Sequence, residues 1–400
     1  MTSGRLTATA FAQSAIATRD DPYAALNEAL AAVRGAQPAD LVLLFVNSRF
    51  ARFLPALVAR VRDQLHPGAL AGCTTSGVIG DGEEREQNPS IALVAMRLPG
   101  ATITTMRLGE WLHDAGDDPD LWRSALDLPA SAVNGLLLIA DPFRTDTQSF
   151  TMGLHRAYPQ AAIAGAVTSG SFHQRQSWIV CDDDVHIDGG VAVAIGGGYT
   201  IEPVVSQGCE PIGQAWTITG VNKQWIETIS NRPAMEVLRE TLHAMPIDER
   251  ERASRNLLAG LAANEYQDDF QRGDFLIRSI TGIEQDGGAI ALGALPRVGQ
   301  TIQFQVRDVA TASDDLRAML ERTRMRLGNR QPVAALLCSC TGRGREFFGQ
   351  EHHDARAIES AFPPLPTPGF FAPSEIGPIG HRPFLHGFST VAGLIVRSEK

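Results

Sequence analysis

One short block, written twice, limits what this chain can fold into. Residues 70–82 read LAGCTTSGVIGDG, and residues 163–170 read IAGAVTSG, so Ala-Gly-x-x-Thr-Ser-Gly returns 93 residues later. A looser echo, GFFAPSEIGPIG, spans 369–380 and carries Glu375 where the first copy carries hydroxyls. A fixed internal period is the mark of a multiplied structural unit. The chain is therefore expected to repeat one supersecondary element, with a small-residue elbow at the end of each copy.

The segments before each elbow agree. Leu41–Val46 and Gly135–Ala140 (GLLLIA) are short, continuously apolar runs, suited to strands buried on both faces. Each is followed by a helical pattern, over about 51–66 and 146–157, then by the elbow, then by further strands at 91–98, 177–181 and 190–196. An earlier strand over 7–15 and a helix over 22–34, capped by Asp20 and Asp21, open the chain. Strand–helix–strand order favours parallel pairing with right-handed crossovers, while the tight turns after the elbows favour antiparallel neighbours. Val333–Cys340 (VAALLCSC), a helix near 352–361, the 369–380 echo and a strand over 389–396 form a third copy. Between the copies, 108–128 is an acidic helical stretch, and residues 201–220 are Pro/Gly-punctuated extended chain. Helices over about 233–245 and 247–264 follow, then strands near 275–280, 288–293 and 301–307, and a helix from the Ser313/Asp314 cap to 327. The expected fold is α/β, with repeated strand–helix–strand units forming mixed sheets flanked by helices, in two pseudo-related domains. Residues 1–225 hold the internal repeats at about 41–98 and 135–196 and a linker over about 200–225, and residues 226–400 form the second domain.

At 400 residues, two domains are the default. The net charge of −10 opposes nucleic acid or an anionic membrane as a general partner. Five cysteines (Cys73, Cys181, Cys209, Cys338, Cys340) make no CxxC pair and no metal spacing with histidine, which fits reduced thiols in a cytoplasmic protein. The N-terminus lacks a sustained apolar core of a signal peptide, and no run reaches the roughly 18–20 apolar residues a bilayer span needs.

Ligands of open α/β sheets gather at the ends of parallel strands, where backbone N–H groups and helix starts converge. Cys340-Thr341-Gly342-Arg343-Gly344-Arg345 occupies such a place. Arg343 either clamps a carboxylate or phosphate bidentately or belongs to a turn whose arginines pair with Glu346, Glu351 or Asp354. It is not a P-loop, since GxxxxGK[ST] is absent. Thr74, Thr75, Ser76, Thr168 and Ser169 offer hydroxyls either to a ligand or to local backbone. Glu375, in an apolar stretch, needs a charged partner: a ligand amine, or Arg343. Cys73 is expected to pack rather than react. Cys338 and Cys340 fall on one face of a strand. His173, just after the second elbow, is the histidine to watch for a cofactor.

Taken together, GCTTSGVIGDG (72–82), GAVTSG (165–170), SQGCEPIG (206–213), NRPAMEVL (231–238), CSCTGRG (338–344), PGFFAPSEIGPIG (368–380) and FLHGFSTV (384–391) resemble the FIST family of sensory domains, over essentially the whole chain. Ser374 departs from the family pattern, which usually has glycine before the Glu-Ile pair. The resemblance implies a stand-alone, non-catalytic sensor of an amino acid or similar carboxylate metabolite. Thr74, Thr75, Ser76, Thr168, Ser169, Cys340, Thr341, Gly342, Arg343 and Glu375 would contact the small-molecule ligand. The signal would pass to a separate partner such as a kinase, cyclase or chemotaxis module. Some similar proteins bind haem and sense nitric oxide, which keeps a haem cofactor as the alternative. A hydrolase or transferase using an elbow hydroxyl or Cys73, and a pure interaction scaffold, are the remaining readings.

Overall fold

A computed structural model describes residues 9–171, 173–267, 269–284 and 287–399. The chain divides into two compact units, one comprising residues up to Val205 with Ala318–Leu385 and Ser389 onward, the other Ser206–Arg317 with His386–Phe388.

The first unit contains the repeat three times. Copy one runs β1 (Phe11–Thr18), α1 (Pro22–Ala32), β2 (Leu41–Asn47), α2 (Leu54–Leu65), β3 (Ala69–Thr75), β4 (Val78–Gly80), β5 (Glu83–Arg85) and β6 (Ser90–Arg97). Copy two runs β7 (Ala101–Leu108), α3 (Pro119–Ala125), β8 (Gly135–Ala140), α4 (Thr147–Ala157), β9 (Ala162–Val167), β10 (Ile179–Cys181), β11 (Asp184–His186) and β12 (Gly190–Gly197). Copy three opens with β13 (Tyr199–Ser206) and resumes, after the second unit's strands, at β21.

The second unit contributes β14 (Cys209–Asn222), β15 (Trp225–Ile229), β16 (Arg232–Pro233), α5 (Ala234–His243), α6 (Ile247–Arg255), β17 (Leu257–Ala262), β18 (Phe275–Ile283), β19 (Ile290–Leu292) and β20 (Thr301–Arg307). Its pairing order β14-β20-β17-β18-β19-β15 closes on itself because β15 returns to β14. Ile218, Leu261, Ile302 and Phe304 fill this antiparallel ring, with Val237 and Leu238 of α5 packed among them. The helix expected over 247–264 stops at Arg255, and 257–262 is a strand instead. LLAGLA is too apolar to sit on a solvated helix, and the ring buries it. The chain expected as an extended bridge over 201–220 lies in β13 and β14.

After α7 (Val309–Leu327) come β21 (Ala334–Cys340), α8 (Arg345–Phe348), α9 (His353–Ala361), β22 (Gly369–Ala372), β23 (Ser374–Ile379), β24 (Arg382–His386) and β25 (Thr390–Arg397).

Three six-stranded mixed sheets result, and their orders are the same: β1-β6-β2-β3-β10-β11, β7-β12-β8-β9-β23-β24 and β13-β25-β21-β22-β4-β5. Each holds one central parallel pair, β2–β3, β8–β9 or β21–β22, and antiparallel neighbours. The last two strands of every sheet come from another copy. The hairpin after the first elbow joins the third sheet, the one after the second joins the first, and the one after the third joins the second. No copy therefore completes its own sheet. One core draws on all three sheets, with Leu43, Phe45 and Cys73 beside Leu137, Ile139 and Ala166, and beside Leu336, Cys338 and Phe370. Helices α1 and α2 bury the outer face of the first sheet, and α4 with Trp122 covers that of the second.

Close packing of the parallel pairs explains the repeated Ala-Gly. Gly72, Gly165 and Gly369 lie opposite Leu44, Leu138 and Leu337 in register. A Cβ at any of them would fall inside 3.0 Å of that leucine's carbonyl oxygen. Glycine is required there because backbone meets backbone.

Candidate functional site

The elbows leave the parallel strands at their C-terminal ends, and the three meet. Ser169 Oγ donates to the main-chain carbonyl of Phe371 (2.6 Å) and accepts from the Ser76 N–H (2.8 Å), with the Thr75 hydroxyl 2.8 Å away. Thr75 Oγ1 also reaches the carbonyls of Gly77 (3.0 Å) and Phe371 (3.1 Å). Thr168 donates to the carbonyl of Thr74, and Thr74 Oγ1 accepts from the Trp178 N–H at 2.9 Å. Thr74, Thr75, Thr168 and Ser169 are fully buried or nearly so. Their hydroxyls knit the first two elbows to each other and to the backbone of the third.

Copy three differs from its siblings in chemistry. Counting from the packed glycine, Ser339 stands where copies one and two have Val46 and Ala140, and Cys338 where they have Phe45 and Ile139. On the exchanged hairpins, Glu375 pairs with Ala166, Ile179 with Cys73 and Val78 with Phe370. Val78 and Ile179 belong to the common core. A carboxyl group has thus replaced an aliphatic side chain at one of three equivalent interior positions.

Arg343, fully buried, donates from Nε and Nη2 to Asp354 Oδ2 (2.8 Å) and Oδ1 (2.9 Å). The Ser339 hydroxyl and His353 Nδ1 (2.8 Å) also donate to Asp354, so His353 carries its proton on Nδ1. Phe348 stacks on the His353 ring at 3.5 Å between centroids, with the guanidinium carbon of Arg343 5.1 Å from its own centroid. Burial works against the Asp354 charge. The Arg343 charge, with the His353, Arg343 and Ser339 bonds, outweighs it and holds the carboxyl well below the usual range. Arg343 Nη1 has no hydrogen-bond partner.

Glu375 is fully buried too. Its Oε2 accepts from the Ser389 hydroxyl and N–H, while Oε1 has no partner. Burial pushes this carboxyl up to about 8, against the Ser389 bonds and the attraction of Arg343. Arg343 and Glu375 each feel the other's charge, without an ion pair between them. Of the pairings left open by the sequence, Arg343 takes Asp354 and Arg345 takes Glu351.

Around this pair, Cys340 is buried, Thr341 is exposed and Gly342 half-buried, so the 341–345 loop dips inward to Arg343 and Gly344 and returns to the surface at Arg345. Ser76 and Ser374 are half-buried and His173 is exposed. Among the described residues, no three His, Cys, Asp or Glu side chains are placed to hold a metal ion. Sequence reasoning missed Ser339, Ser389 and Glu84. Glu84, on β5, is buried, accepts from the Ala355 N–H at 3.0 Å, and leaves Oε2 without a partner. The signal available was an acidic hairpin, which is ordinarily a solvated turn.

The FIST N domain matches residues 40–232 and the FIST C domain residues 234–378. The chain belongs to the FIST family. FIST domains are sensory-type domains. An uncharacterized protein of Mycobacterium tuberculosis H37Rv is 36% identical over 95% of this FIST chain and 98% of its own. One from Mycobacterium bovis is 35% identical over 90% and 92%. Among solved structures, a cyanuric acid hydrolase from A. caulinodans aligns over 98% of this chain and 100% of its own, at 10% identity and a TM-score of 0.36, too low to carry an argument. No helix among the described residues is long and apolar enough to cross a membrane.

Proposed function

We propose that this FIST protein is a sensor of an amino acid or similar carboxylate metabolite, bound where the third copy departs from the other two. One observation carries the reading. Arg343 Nη1 and Glu375 Oε1 are buried, oppositely charged in type, within electrostatic reach of each other and both unpartnered. Leaving such atoms unpaired costs stability, and an aliphatic side chain fills the Glu375 position in both sibling copies. A ligand carboxylate on Arg343 Nη1 and a ligand ammonium on Glu375 Oε1 would satisfy both. The 341–345 loop, Cys340 and the elbow hydroxyls would frame it. The bound state would pass to a separate kinase, cyclase or chemotaxis partner in the cytoplasm, where five unbridged cysteines suit reducing conditions.

Thermal unfolding with each of the twenty amino acids and a set of small carboxylic acids tests this. A ligand at a hundred times its Kd adds about 2.7 kcal/mol. The expected result is a raised Tm in wild type that disappears in Glu375→Gln. A ligand that raises both equally, or no response from any, overturns the assignment.

A further inference from the structure

The buried charges gathered around the third copy do not balance. Arg343 is spent on Asp354, with two hydrogen bonds. Two further buried carboxyls, Glu84 and Glu375, each accept main-chain N–H bonds on one oxygen and leave the other without a partner. Ionising either there would bury an uncompensated charge. The neutral acid is the form these surroundings accept.

Both carboxyls sit on exchanged hairpins. Glu84 lies on the β4–β5 hairpin that leaves copy one for the third sheet, and Glu375 on the β23–β24 hairpin that leaves copy three for the second. The ladders holding these hairpins are short: Ile79 and Val78 against Gly369 and Phe370, and Ser374, Glu375 and Ile376 against Val167, Ala166 and Gly165. We propose that Glu84 and Glu375 are proton-binding sites that give the protein a second input, with bound protons holding the two exchanged hairpins in place. Proton binding needs no ligand, but it shares Glu375 with the ligand reading, and an ammonium bound at Glu375 would compete with the proton there.

The surroundings of each group set the sign. Glu375 faces Arg343 on the 341–345 loop, Cys338 on β21 and Ser389 before β25. Glu84 faces Asp354 on α9 and His352 at its start, where the Glu84 N–H donates to Nδ1 at 2.8 Å. Glu86 bonds the Arg345 N–H nearby, Arg345 pairs with Glu351, and Arg85 pairs with Glu83 on the same hairpin. Glu359 of α9 lies against Gly82 at the hairpin tip. Burial first, then the Asp354 charge, pushes the Glu84 carboxyl up to about 8, matching Glu375. An opened hairpin returns its carboxyl to about 4.3. The closed form therefore holds the extra proton between about 4.3 and 8. Its advantage is full below that window and is lost as pH rises through it.

Hydrogen exchange on the full chain, corrected for intrinsic rates, reads the opening of residues 78–86 and 374–386. We expect opening constants to rise about tenfold per pH unit from 5 to about 8 and then level off, while 41–47 stays protected. Glu84→Gln and Glu375→Gln should each flatten the profile of their own hairpin. Infrared spectroscopy gives a check independent of the variants' folding: protonated carboxyl bands present at pH 7 and lost by pH 9, reduced in each variant. Both carboxyls ionised at pH 7 would overturn the proposal, as would opening equally pH-dependent in wild type and variants.

Discussion

Glu375 and Ile179 occupy one position in two copies of the same structure. Each sits on an exchanged hairpin, one residue before the partner of the packed glycine, Glu375 opposite Ala166 and Ile179 opposite Cys73. Ile179 fills the common core, and Glu375 puts a carboxyl group into the equivalent space. Similar backbone with opposite chemistry marks the third junction as the place where stability has been given up.

Glu375→Ile combined with Ser389→Ala should therefore stabilise the protein. Removing the buried acid together with the hydroxyl that would be left unpaired is expected to add about 1–2 kcal/mol. The check is a higher urea midpoint at unchanged m-value, accompanied by loss of any ligand-induced shift in Tm.

Arg343→Met strands Asp354 as a buried charge and should cost about 3–5 kcal/mol, whereas Arg343→Met with Asp354→Leu should recover most of it. Because the native Asp354 carboxyl is held below its usual range, its contribution is present above about pH 4 and fades as pH falls. Acid titration of the wild type against the double variant would show the difference.

Gly72→Ala, Gly165→Ala and Gly369→Ala should be alike in effect, each costing about 3 kcal/mol, since each drives a methyl group into the facing leucine carbonyl. Very unequal losses in chemical denaturation would contradict the equivalence of the three parallel pairs.

Ser169→Ala removes the hydroxyl that joins the Ser76 N–H, Thr75 and the Phe371 carbonyl. A loss of about 1–3 kcal/mol is expected. A double-mutant cycle with Thr75→Val should give a coupling of at least about 0.5 kcal/mol.

The thiols should be inert in the folded protein. Burial raises Cys73 and Cys338 far above their ordinary range, and Cys181 is pushed up to about 11 by burial and the neighbouring aspartates. Iodoacetamide at pH 7.5 should leave all three unlabelled for minutes and label them quickly in urea, read by mass spectrometry.

The threefold repeat was legible because close packing needs glycine at a fixed point, and a fixed need leaves a fixed mark. The apolar strands at 41–47, 135–140 and 334–340 carried the same message, as did the helices that follow them, since burial on two faces and on one face write different periods. Segment 257–262 misled, because a short apolar run beside a helical pattern suits a helix or a buried strand equally. Glu375 could be picked out as an acid in an apolar stretch in need of a partner, and Arg343 as a loop cation facing either a ligand anion or a neighbouring acid. Which partner each would take could not, because Asp354 lies eleven residues along and Ser389 fourteen.

The sequence by itself determined that one strand–helix–elbow unit is used three times, with a small-residue, glycine-bearing elbow in each copy and an acid in the third. The register that sets Glu375 in the place of Val78 and Ile179, not of the hydroxyls, came with the structure. Tertiary structure alone decided that each copy lends its hairpin to another. That exchange sets Ser169 against the Phe371 carbonyl, 202 residues away, and Glu84 against the Ala355 N–H, 271 residues away. Local pattern records what a residue must be next to along its own strand. It holds no record of which distant strand will arrive, since any apolar, short and suitably twisted edge could have received the hairpin.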